Sequence, residues 1–144
     1  MTFAKFCMIY QHTIRLEDTD AAGVVYFARL LSICHYAYEA AIAQAGVNLA
    51  QLLAQGELAI PIVEAHIRFL APLYWGDEVT IELVPKTIEA SQFQVNYTIY
   101  KLGSDRPVSQ ASTHHVCINP KTRQRQPLTP QLAQWLHSER PPAA

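Results

Sequence analysis

Residues 17–27 read Glu-Asp-Thr-Asp-Ala-Ala-Gly-Val-Val-Tyr-Phe and run directly into an apolar stretch that holds no proline or glycine before Gly46. A carboxylate can activate water as a general base or attack an acyl carbon itself. The first turn of a helix offers unpaired N–H groups and the positive end of its dipole, both suited to an oxyanion. Asp20 stands where the two would meet. On the residues alone its first reading is a favourable charge on that dipole, worth about 0.3–1 kcal/mol. Asp18, two residues earlier on what reads as extended chain, is expected to point elsewhere and serve structure, and Glu17 is expected to be solvated. The rival carboxylate is Glu39. It shares a narrow polar stripe with Arg29, Ser32 and Tyr36 at helical spacing, a placement that favours a polar partner in an interface.

Other reactive side chains form no comparable group. Cys7, Cys34 and Cys117 lie far apart in apolar segments without a Cys-x-x-Cys pair, the pattern of buried reduced thiols. The six histidines include no His-Glu-x-x-His and no pair placed to share a metal ion, so no metal is expected and they read as strand and surface residues. Glu64, His66 and Arg68 share a strand face by the period of two. Surface or interface ion pairing is their first reading, and contact with a phosphate or carboxylate of a substrate is the alternative. Net charge is −1 and the basic residues are scattered apart from Lys121, Arg123 and Arg125, which leaves no electrostatic footprint for nucleic acid. The apolar runs are too short to span a membrane. With no signal-peptide pattern in Met-Thr-Phe-Ala-Lys-Phe at the N-terminus, a cytoplasmic protein is expected.

These residues need elements to position them. A chain of 144 residues, 50% hydrophobic and 16% charged, is expected to form one domain over 1–144, with a core over 7–127 and a tail over 128–144. Residues 10–16 read as a strand. Residues 28–45 read as a long helix, apolar around most of its circumference and stopped by Gly46. A short helix follows over 48–56, with Asn48 as its cap. The period then changes to two, giving strands over 60–69, 78–84, 92–100 and 108–118, and a last short helix is expected over 130–137 before a frayed Pro-rich end. Consecutive strands with short turns predict an antiparallel meander. The fold class is therefore α+β, an antiparallel sheet of about five strands wrapped round a long central helix, with exposed edges that predict dimerisation.

Asp18-Thr19-Asp20-Ala21-Ala22-Gly23-Val24-Val25-Tyr26-Phe27 resembles the Asp-x-Asp-x-x-Gly-x-Val-[Tyr/Phe] signature of the 4-hydroxybenzoyl-CoA thioesterase branch of the hotdog superfamily, at the same place between first strand and central helix. The resemblance covers residues 7–127, including Pro72 and Gly76-Asp77. Cys34, His35, Tyr38 and Glu39 on the helix, with His114-His115-Val116-Cys117-Ile118 on a strand, are most similar to the 1,4-dihydroxy-2-naphthoyl-CoA hydrolases of cyanobacteria, which serve phylloquinone synthesis. The resemblance implies hydrolysis of an aromatic acyl-CoA by a homodimer or homotetramer whose active site lies between subunits. It implies Asp20 as the essential carboxylate, nucleophile or general base, and the Phe27 backbone N–H as the donor to the thioester carbonyl. Gly23, Val24 and Tyr26 would border the acyl group, Gly23 without a side chain to obstruct it. Coenzyme A is then part of the substrate and no cofactor is implied. Its phosphates would meet rim cations, among which Lys86, Lys101, Lys121, Arg123 and Arg125 are equivalent on sequence. The alternatives are a 4-hydroxybenzoyl-CoA or short-chain thioesterase of the same branch, and a non-catalytic hotdog protein that binds acyl groups.

Overall fold

An 18-residue helix, α1 (Phe27–Gln44), is the longest helix of the computed structural model, which describes residues 8–137. Leu30, Ile33, Cys34, Ala37, Tyr38, Ala41 and Ile42 are its buried residues, and their spacing of three and four places them on one stripe. The helix ends as expected at Gly46. Its φ of +84° belongs to the left-handed region, and the Gly46 N–H donates to the Ala43 carbonyl at 3.0 Å. The Val47 N–H donates to the Ile42 carbonyl at 3.2 Å, which completes a Schellman closure of the last turn. A second helix, α2 (Leu49–Ala54), follows with the Asn48 side chain capping the Gln51 N–H at 3.0 Å.

Five strands, β1 (Met8–Thr13), β2 (Ile62–Phe69), β3 (Glu78–Glu89), β4 (Gln92–Lys101) and β5 (Pro107–Val116), form one antiparallel sheet in the order β1-β3-β4-β5-β2. The expected meander holds for β3, β4 and β5 only. Strand β2 does not pair with β3 but crosses to the far edge, where Ala65 faces Thr113 and Ile67 faces Ala111 of β5. The reason is burial. Strands β3 and β4 each bury one face, with Val79, Ile81, Leu83, Phe93, Val95, Tyr97 and Ile99 in the core, whereas Ile67 alone is partly covered in β2. A strand with no buried face suits an edge.

Three boundaries differ from the expectation for identifiable reasons. Strand β1 stops at Thr13 rather than residue 16, because the Asp18 Oδ2 accepts the Arg15 N–H at 2.9 Å and folds Leu16–Asp18 into a 3-10 turn. Strand β3 continues past residue 84 through Pro85, which pairs with Val95 of β4 and stands beyond the described end of the β1 ladder at Leu83, a place where a missing N–H is tolerated. The core also extends past residue 127. In α3 (Pro130–His137) Leu132, Trp135 and Leu136 are buried, and the Trp135 ring meets Phe93 edge-on at 5.8 Å. The frayed end expected beyond α3, like Cys7, lies outside the described residues. His115 is a buried core histidine rather than a surface one. Its Nε2 is 2.7 Å from Thr113 Oγ1, which lies 3.1 Å from the Tyr97 hydroxyl, and its ring stacks on Phe93 at 4.6 Å.

Candidate active site

The segment between β1 and α1 builds its shape from local hydrogen bonds. Thr19 and Val25 form an isolated antiparallel bridge, the Asp20 N–H donates to the Val24 carbonyl at 3.0 Å, and the Gly23 N–H donates to the Asp20 carbonyl at 3.0 Å. Closing so tight a loop requires Gly23 at φ +80°, where a side chain would be strained even though nothing lies within 4 Å of the place its Cβ would take. The glycine is thus a turn residue, and it is not among the residues that line the cavity described next. One oxygen of Asp20, Oδ1, accepts the Ala22 N–H at 2.9 Å, which fixes the carboxylate over its own turn. Among the described residues no partner engages Oδ2.

The start of α1 is left open in the same way. Tyr26 is the N-cap residue, and its side chain accepts no cap hydrogen bond. As the first helical residue, Phe27 has an N–H with no acceptor in its own helix, and no other acceptor takes it among the described residues. Asp20, Val24, Val25, Tyr26, Phe27 and Leu30 line one side of a cavity of about 470 Å³, and residues 69–73 line the other. That cavity is lined by the residue with the incompletely satisfied carboxylate, by the first residue of α1, whose N–H has no acceptor among the described residues, and by apolar side chains. The combination fits attack on an acyl carbon with a bulky apolar substituent.

Asp18 is placed as the sequence led us to expect, away from that cavity. It is fully buried and receives Arg29 Nε on Oδ1 at 2.6 Å and the Arg15 N–H on Oδ2, with His12 Nε2 3.0 Å from Oδ2. Burial alone would push its carboxyl up, but the Arg15 N–H, His12 and Arg29 outweigh burial and hold it below the usual carboxylate range. Glu17 is largely solvated, with one oxygen 3.4 Å from Arg29 Nη2. Glu39, the rival, lies 3.4 Å from His35 Nε2 and opens instead onto a separate hollow of about 800 Å³, shared with Tyr10, Tyr36 and Gly46. Glu64 and His66 pair at 2.6 Å on exposed β2. Burial drives the Cys34 thiol up to about 12 and raises that of Cys117, the opposite of what an activated nucleophile needs. No three His, Cys, Asp or Glu side chains converge as a metal site among the described residues, and no described helix is long and apolar enough to cross a membrane.

Sequence reasoning missed the second wall. Residues 69–73, Phe-Leu-Ala-Pro-Leu, read only as the end of a strand and a loop, yet Phe69 and Leu70 are about half exposed along the cavity mouth. An apolar run in a loop was the available signal. None of Lys86, Lys101, Lys121, Arg123 and Arg125 lines this cavity, and Lys101 is engaged with Asp77 at 3.2 Å.

Comparison with known proteins shows the family and the fold. The chain is 50% identical over 129 residues to a 1,4-dihydroxy-2-naphthoyl-CoA hydrolase of Thermosynechococcus vestitus, covering 90% of this chain and 88% of the relative. It is 48% identical over 130 residues to the protein of the same name in Rippkaea orientalis, covering 90% and 94%. Among solved structures, a 1,4-dihydroxy-2-naphthoyl-CoA thioesterase from Synechocystis superposes with a TM-score of 0.88 at 34% identity, over 91% of this chain and 96% of that one. The profile of the thioesterase-like superfamily matches residues 14–136, and with it the architecture described above is the hotdog fold. The chain belongs to the thioesterase-like superfamily of hotdog-fold hydrolases.

Proposed function

We propose that this enzyme hydrolyses 1,4-dihydroxy-2-naphthoyl-CoA to 1,4-dihydroxy-2-naphthoate and coenzyme A, the step the sequence resemblance places in phylloquinone synthesis. The observation that carries the chemistry is the shared cavity. Asp20 and Phe27 border the same space, and most of the remaining lining residues are apolar. In this reading the Phe27 N–H donates to the acyl carbonyl oxygen and strengthens that bond as the oxygen becomes an oxyanion. Asp20 supplies the nucleophile in one of two ways. Its free oxygen either takes a proton from water as the water oxygen attacks the carbonyl carbon, or attacks that carbon to give an anhydride which water then opens. Both routes break the C–S bond and release coenzyme A as the thiol. Trapping of an acyl-enzyme separates them. Val24 and Tyr26 border the aryl group, and Gly23 serves the turn that carries Asp20.

The same reading includes a second subunit. Ile62 and Val63 on the outer edge of β2, and Tyr26, Phe27, Phe69 and Leu70 round the cavity, are all between 42% and 58% exposed in the single chain. A homodimer, or a homotetramer built from it, would cover this apolar rim and complete the cavity from a neighbouring copy. The setting is cytoplasmic in this proposal. Cys34 and Cys117, buried and unbridged, suit a reducing compartment. The test is thiol release from 1,4-dihydroxy-2-naphthoyl-CoA beside benzoyl-CoA, 4-hydroxybenzoyl-CoA and a short aliphatic thioester. The naphthoyl substrate is expected to give the highest kcat/KM. Equal or higher values for another thioester would reassign the substrate, and tight binding without thiol release would leave a non-catalytic acyl-binding protein.

A further inference from the structure

Asp18 is the one fully buried carboxylate among the described residues, and its contacts reach in three directions. Oδ2 holds the Arg15 N–H of the 3-10 turn and lies beside His12 of β1, while Oδ1 accepts Arg29 Nε at 2.6 Å from the first turn of α1. Its backbone carbonyl accepts the Tyr26 N–H at 2.9 Å. Tyr26 immediately precedes Phe27, and Asp20 follows Asp18 by two residues. A single residue therefore grips the chain at both ends of the loop that separates the carboxylate from the amide.

The loop does not need the Asp18 side chain to keep its own shape. The Thr19–Val25 bridge is closed by the backbone bonds Tyr26 N–H to the Asp18 carbonyl and Asp20 N–H to the Val24 carbonyl, and the Gly23–Asp20 bond and Thr19 Oγ1 on the Leu16 carbonyl at 2.7 Å add to it. What the Asp18–Arg29 pair adds is the position of that loop relative to the start of α1. Arg29 itself does not line the Asp20 cavity; its Nη2 reaches Glu17 and its guanidinium lies 5.9 Å from the Tyr36 ring centroid. Arg29 is therefore not placed to touch a substrate in that cavity, and its shortest ion pair, at 2.6 Å, is with Asp18.

We propose that Asp18, held by Arg29, is a positioning residue of the hydrolysis, setting the separation between the Asp20 carboxylate and the Phe27 N–H across the acyl carbonyl. The proposal rests on the roles given above to Asp20 and Phe27. A displacement of about 1 Å between reacting groups lowers rates by up to roughly 100-fold, so removal of the pair should appear in kcat.

The experiment is a double-mutant cycle on the full chain. Arg29 is partly exposed, so Arg29→Met should still melt cooperatively, with kcat reduced roughly 10- to 100-fold and KM changed less than about threefold. Asp18→Asn should show the same split where it folds, and Arg29→Met decides the matter where it does not. The double variant Asp20→Asn/Arg29→Met should be no slower than Asp20→Asn, because nothing remains to be positioned. A folded Arg29→Met with wild-type kcat, or losses that multiply in the double variant, would overturn the positioning role. Wild-type kcat in Asp20→Asn would instead overturn the reading of Asp20 on which it rests.

Discussion

The two ends of α1 are treated in opposite ways. At the C-terminal end the Gly46 and Val47 N–H groups occupy the Ala43 and Ile42 carbonyls, and the last turn is closed by its own chain. At the N-terminal end, among the described residues, Tyr26 offers no side-chain cap, the Phe27 N–H has no acceptor, and Asp20, which lines the same cavity as Phe27, keeps one oxygen unpartnered. Both ends carry a hollow with a carboxylate, Asp20 at one and Glu39 at the other. A free donor at a helix start is a local cost, and it is useful only where an incoming oxygen can take its place. The difference teaches that the carboxylate alone does not mark the site. A carboxylate that shares a cavity with an uncapped helix start does.

The largest expected effect tests the open end. Asp20→Asn should keep the fold, since the asparagine carbonyl can still accept the Ala22 N–H, and should lower kcat for aryl-CoA hydrolysis by roughly 100- to 10,000-fold, the range for a lost general base. A stopped thiol-release assay reads this directly, and a variant within a few-fold of wild type would break the comparison.

Acid should act on the fold between the two ends rather than on either of them. Tyr38 of α1 packs on His115 at 4.6 Å, and burial first, then the neighbouring His35 and His114, lower the His115 pKa from 6.5 to about 4. An unfolded histidine takes up a proton near pH 6.5, so this contribution is complete above that value and is lost as pH falls towards 4. The melting temperature should drop across that window, and His115→Gln should flatten the dependence. An unchanged slope in the variant would assign the acid sensitivity elsewhere.

At the closed end the effects should be smaller and confined to stability. Gly46→Ala meets no neighbour within 4 Å but must adopt φ +84°, so it should destabilise by about 1–2 kcal/mol, a loss of several degrees in Tm, with kcat unchanged. A fall in kcat without loss of Tm would contradict the division of labour. Least of all is expected from Glu39→Gln. Its exposed pairing with His35 contributes little, so both kcat and Tm should stay within about twofold and one degree of wild type.

Much of this arrangement was legible in the sequence because it follows from period and punctuation. The helical spacing from Leu30 to Ile42 located α1, Gly46 its end, Asn48 the cap of α2, and the alternation in β3 and β4 their buried faces. Asp20 beside a helix start was readable from residue type and order. Pairings between distant segments were not. The transfer of β2 to the far edge depends on its having no buried face, which its alternating pattern concealed, and the wall formed by Phe69 and Leu70 appears only when that loop folds back on the start of α1. The attachment of Asp18 to both His12 and Arg29 is likewise a tertiary fact. His12 read as an ordinary strand histidine and Arg29 as one member of a polar stripe.

The most direct test is a crystal structure with a non-hydrolysable ketone analogue, in which a methylene separates the aryl carbonyl from the sulfur of coenzyme A. The account predicts the ketone oxygen at about 2.9 Å from the Phe27 N–H, the Asp20 carboxylate facing the carbonyl carbon or a water beside it, and the aryl ring against Phe69 and Leu70. An analogue seated in the hollow beside Glu39, or a carbonyl oxygen turned away from Phe27, would contradict it.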